Sequence, residues 1–176
     1  MRGTTLSVLV WWAVLTCQIG AADWPFAHVR SDEPSFRAIV TEGYQRSATF
    51  KALIDELDSQ PGIVYIASIA KLSQGMEGAL LHAVAGSPSL PVLRVLLKGH
   101  PAGDHAIALV AHELRHVVEV LRAGATSSPT AMTRFFASLD AAHSAGMSKL
   151  ETEAAQEIAA RVRRELQQSA RINARP

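Results

Sequence analysis

His112-Glu113-Leu114-Arg115-His116, set inside the apolar run Ala106-Ile107-Ala108-Leu109-Val110-Ala111 and Val117-Val118, decides how this chain is read. Two histidines four residues apart share one face of a helix, so both imidazoles can reach a single metal ion. Glu113 lies about 100° around the helix from His112, beside such an ion rather than on it. From there it can take a proton from water that the metal activates. Zinc takes nitrogen, sulfur or oxygen ligands in a tetrahedron, and a catalytic site keeps one vertex for water. The motif supplies two of the three protein ligands required.

The residues around the motif bear on whether it is more than coincidence. Leu109, Val110, Ala111, Leu114, Val117, Val118 and Leu121 give the helix a broad apolar face, so it is expected to be buried. Two histidines and a carboxylate in a core must be hydrogen-bonded or must bind something. The plainer alternative is that His112 and His116 are core histidines bonded to backbone. Arg115 stands where such helices usually carry an uncharged residue. Glu119, four after Arg115 and three before Arg122, completes an Arg115–Glu119–Arg122 ion-pair ladder along one edge. Glu119 also falls almost in line with His112 and His116, which makes it a candidate extra ligand or support for one.

Outward from the motif, Asp104 caps the helix and Gly124 ends it. Pro91 to Lys98 and Ile63 to Ala70 are β-branched and apolar and read as strands. Gly86-Ser87-Pro88-Ser89 forms a turn, Ala79 to Val84 is ambiguous between strand and helix, and Lys71 to Gly78 is a loop. Ser35 to Leu57 reads as one helix, interrupted near Gly43, with Ser31 or Asp32 as cap and Pro34 in its first turn. Beyond the motif, helices are expected over Thr130 to Ala142 and Lys149 to Gln168, with a frayed tail over Arg171 to Pro176. The pattern gives an α+β fold. A small β-sheet packs on the N-terminal helix and the metal-binding helix, and two further helices follow.

His143, Glu151 and Glu153 are the downstream candidates for the third ligand. His143 can equally stabilise an oxyanion, or be a surface histidine near a helix end. Ser148-Lys149-Leu150-Glu151 is also a capping box, which gives Glu151 a competing role at a helix start. His82, His100 and His105 carry no spacing signal.

From the Val92–Lys98 strand through the last helix the chain resembles the gluzincins, zinc peptidases whose third ligand is a glutamate on a later helix. Their ligand helix often begins Glu-x-x-Ala-Asp or Glu-x-x-Ala-Asn. Glu151-Thr152-Glu153-Ala154-Ala155 matches the glutamate and the first alanine, with Ala155 in place of the residue that supports a zinc-binding histidine. Glu119 could substitute for that support. Glu153-Ala154-Ala155-Gln156-Glu157 is the alternative alignment. A related zincin group, with glycine three and histidine six residues after the second histidine, is excluded because Glu119 and Arg122 occupy those positions.

The resemblance implies a zincin-like fold, bound Zn2+, and hydrolysis of peptide or protein substrates. It also implies pairing of the Val92–Lys98 strand with extended substrate. An oxyanion-stabilising group is expected as well, with His143, Tyr65 and Tyr44 as candidates. A non-catalytic zinc-binding protein of the same fold is the alternative.

Arg2, the apolar run Leu6 to Leu15 and the small residues Gly20-Ala21-Ala22 form a three-part export signal over residues 1–22. The run is short for a membrane span, so a periplasmic or secreted protein is expected, with an N-terminal membrane anchor as the alternative. The remainder, residues 23–170, is read as one domain. The single cysteine, Cys17, lies in the signal, which excludes cysteine zinc sites and cysteine nucleophiles. Without Arg2 the 17 basic residues fall to 16 and equal the 16 acidic ones. No basic stripe points to nucleic acid.

Overall fold

A computed structural model of the chain describes residues 24–81, 84–142 and 152–173. The segment expected to be an export signal, with Cys17, and the candidates His82, His143 and Glu151 lie outside the described residues. So does the capping box of residues 148–151.

Strict alternation builds the sheet. Along β5 (Leu90–Lys98), Pro91, Leu93, Val95 and Leu97 are buried, while Leu90, Arg94 and Lys98 are exposed. In β2 (Ile63–Ile69), Val64 and Ile66 are buried on the same side. These two strands run parallel, from Ile63 opposite Val92 to Ile69 opposite Lys98. β1 (Val29–Arg30) adds a parallel edge to β2. β3 (Gly78–Leu80) and β4 (Ala85–Ser87) both pair antiparallel with the far side of β5. Within the ambiguous Ala79 to Val84 segment, Ala79 and Leu80 therefore belong to a strand, and the Pro88-Ser89 turn closes a hairpin between β4 and β5. Because β5 is hydrogen-bonded along both sides, it offers no free edge to an extended substrate, contrary to expectation. The edge on that side is formed by β3 and β4.

The N-terminal helical segment is two helices. α1 (Pro34–Arg46) begins at proline and buries Phe36, Ile39, Val40 and Gly43. α2 (Ala48–Asp58) buries Phe50, Leu53, Ile54 and Leu57. The break falls at Ser47, not at Gly43. The Ser47 backbone is extended, and its hydroxyl accepts a hydrogen bond from the Phe50 N–H at 3.0 Å, a capping geometry. Gly43 lies within helix, where a Cβ would stand 2.8 Å from the Ile107 side chain and 3.0 Å from Phe50. It lets α1 approach the motif helix closely.

α3 (Gly103–Arg122) carries the motif through the middle of the molecule, packing on α1, α2, α5, β3 and β5. Asp104 does not cap it. That carboxylate pairs instead with Arg46 of α1 at 2.8 Å. The helix ends at Arg122, with Gly124 in the left-handed conformation at φ 62°. α4 (Pro129–Ala142) starts with the Ser128 hydroxyl accepting from the Ala131 N–H at 3.1 Å. α5 (Glu153–Asn173) starts later than expected and runs on through Arg171 to Asn173, where a frayed tail was expected. Its Ala155, Ala159, Val162 and Leu166 are buried, and it packs along α3.

The helices and the sheet face bearing Val64, Ile66, Leu93, Val95 and Leu97 enclose one core, to which each fully buried Leu or Phe contributes about 2 kcal/mol. The α+β class and the small mixed sheet agree with the reading of the sequence. Among the described residues no helix is long and apolar enough to cross a membrane.

Candidate metal centre

The burial of α3 is nearly all round, so the polar residues of the motif sit inside the protein. Glu113 and His116 are each only 5% exposed. The two imidazoles converge as the four-residue spacing requires. Their Nε2 atoms are 3.2 Å apart, with the rings nearly perpendicular. Two nitrogens each about 2.0–2.1 Å from one tetrahedral zinc would stand about 3.3–3.4 Å apart, so the donor pair fits that ion.

The other nitrogen of His116 sets its tautomer. Nδ1 lies 3.2 Å from Oε2 of Glu119. Burial pushes the Glu119 carboxyl up, but hydrogen bonds from His116 and Thr152, with the charges of His116 and Arg115, outweigh that and hold it below the usual carboxylate range. An ionised carboxylate only accepts hydrogen bonds, so Nδ1 of His116 carries the proton. In the neutral ring, Nε2 then presents its lone pair to Nε2 of His112. That lone pair can accept the Nε2 proton of a neutral His112 or, in its place, face a cation. This is the arrangement in which a carboxylate orients a metal-binding histidine.

Glu119 is thus half of the expected ladder. Arg115 reaches it at 3.4 Å, but Arg122 turns away to Glu56 of α2 at 2.5 Å. The partner in its place is Thr152, whose hydroxyl donates to Oε1 at 2.8 Å and Oε2 at 3.1 Å of Glu119. Ala155 is fully buried at the position where the resembling pattern carries an acid or amide. Support for the histidine comes from Glu119 on α3 itself.

Two further neighbours escaped sequence reasoning. Phe136 of α4 packs edge-on against the His116 ring at 5.6 Å and closes the site from that side. Gly78 of β3 lies against the motif carboxylate. A Cβ there would stand 2.6 Å from Oε1 of Glu113. The loop-like segment Gly75-Met76-Glu77-Gly78 gave no sign of that contact.

Other candidates are not brought to the histidines. Tyr44 is held by Lys51 at 2.5 Å and Asp55 at 3.1 Å, and its ring packs on Phe26. Tyr65 alternates with the buried Val64 and Ile66, so it projects from the opposite face of the sheet. His100 pairs with Glu33 at 3.5 Å, and His105 with Glu77 at 3.1 Å. Glu153 is exposed at the start of α5, where it lines a cavity of about 700 Å³ together with Glu119, Phe135, Leu139, Thr152 and Glu157. Among the described residues no three histidine, cysteine or acidic side chains converge on one point.

No protein-family model matches the chain, and neither a curated protein nor a solved structure matches it. What the site can do rests on its own geometry.

Proposed function

We propose that this protein is an exported, gluzincin-like zinc peptidase. The observation that carries the reading is the 3.2 Å approach of the two Nε2 atoms, with the Glu119 carboxylate 3.2 Å from the far nitrogen of His116. His112 and His116 would hold the metal, with Glu151 as third ligand and Glu153 as the alternative. Glu151 is preferred because Glu151 and Ala154 match the Glu-x-x-Ala pattern of the resembling ligand helix. The exposed position of Glu153 on the cavity favours it less.

Zinc bound there would supply a Lewis acid that polarises a carbonyl and lowers the pKa of water. Glu113 follows His112 directly, is buried, and is confined by Gly78. Its carboxylate takes the proton from the attacking water and delivers it to the leaving amine nitrogen as the C–N bond breaks. An extended peptide aligned on β3, an edge strand next to Glu113, would bring its scissile bond to that carboxylate.

The test is Glu113→Gln assayed against a broad peptide library, with zinc content measured in parallel. Loss of cleavage by at least about 100-fold, with zinc retained, is the expected result. Zinc binding by a wild-type protein that cleaves nothing would leave a non-catalytic zinc-binding protein. Absence of stoichiometric zinc would overturn both.

A further inference from the structure

A threonine hydroxyl has one proton to give and lone pairs to accept with. Thr152 uses both sides. Its Oγ1 accepts from the Ala155 N–H at 3.1 Å, which caps α5. Its proton is shared between the two oxygens of Glu119, at 2.8 and 3.1 Å. One side chain therefore fixes the start of α5 and the orientation of the carboxylate that meets Nδ1 of His116. The other contact to Glu119 from a side chain, Arg115, is longer at 3.4 Å and partly buried. The cavity of about 700 Å³ beside Glu119 and Thr152 gives the carboxylate room to swing if the clamp is cut.

We infer that Thr152 is a positioning residue of the metal centre. By clamping Glu119 it keeps the His116 proton on Nδ1 and leaves Nε2 facing His112. The metal half of this inference rests on the function proposed above, and the tautomer half does not.

Both halves are read in the full chain carrying Thr152→Ser, Thr152→Val or Thr152→Asp. Nitrogen NMR of the metal-free protein gives the His116 tautomer, and chelator competition gives zinc affinity. Serine keeps the cap and the donated proton, so wild-type values are expected. Aspartate is a good cap but has no proton to donate. A purely structural role predicts that Thr152→Asp behaves as wild type. The positioning role predicts loss of the single Nδ1–H tautomer and about tenfold weaker zinc binding in both the Asp and Val variants. The extra negative charge of aspartate alone would favour a cation, so weaker binding reports the lost clamp. If Thr152→Val does not fold, the Asp variant carries the test. Wild-type tautomer and affinity in Thr152→Asp would overturn the inference. A wild-type protein that binds no zinc would overturn the proposed function, while the tautomers would still decide the role of Thr152.

Discussion

His116 uses both ring nitrogens, one toward Glu119 and one toward His112, and the chemistry of the site follows from that division. If Glu119 orients the ring, Glu119→Ala should weaken zinc binding about 10- to 100-fold by chelator competition. An unchanged affinity would mean that the carboxylate is only an ion-pair partner of Arg115. Gly78 works on the neighbouring residue of the motif. An alanine there would place Cβ 2.6 Å from Oε1 of Glu113, so the carboxylate must move. Misplacing a catalytic group by about 1 Å costs on the order of 100-fold in rate. Gly78→Ala should therefore lose about that much cleavage while zinc content stays constant, and an active variant would show that Glu113 does not depend on the close approach. The motif itself was legible because helical spacing alone brings the two imidazoles together. Gly78 and Thr152 were not, because their partners lie far along the chain. Nothing in the segments that carry them records those partners.

At the scale of elements, the ends of helices decide more than their interiors. Glu165 of α5 reaches the N-terminus of α2, accepting from Ser47 Oγ at 2.6 Å, Thr49 N at 2.9 Å and Thr49 Oγ1 at 2.6 Å. Glu165→Ala removes this bridge and should cost about 1–2 kcal/mol in urea unfolding. Burial pushes its carboxyl up, but the hydrogen bonds from Ser47 and Thr49 outweigh that and lower its pKa. A carboxylate with a depressed folded pKa stabilises above its unfolded pKa and loses that contribution as pH falls through the folded value. Stability should therefore decline with acid below about pH 4, and Glu165→Gln should flatten the decline; an identical pH profile would contradict the assignment. The sequence suggested a break at Gly43 because glycine is the usual punctuation. The actual break at Ser47 depends on a capping hydroxyl, and Gly43 instead admits Ile107 and Phe50. The strands were legible from alternation in β5. Its interior position was not, since pairing on both sides depends on where β3 and β4 return.

At the scale of the whole molecule, the fold places α3 between the other helices and the sheet, so that the motif is held by packing from all sides. A metal bound to such a pre-formed pair stabilises the folded state by about 2.7 kcal/mol at a concentration 100 times its Kd. For a chain of this length that corresponds to a rise in Tm of about 5–10 °C. The most direct test is therefore the zinc content of the purified wild-type protein, measured with its Tm before and after chelation, and beside His116→Ala. The histidine pair predicts one zinc per chain and a Tm that falls on chelation and recovers with added zinc, with neither seen in His116→Ala. A wild-type protein with no stoichiometric zinc, and a Tm unmoved by chelator or metal, would contradict it.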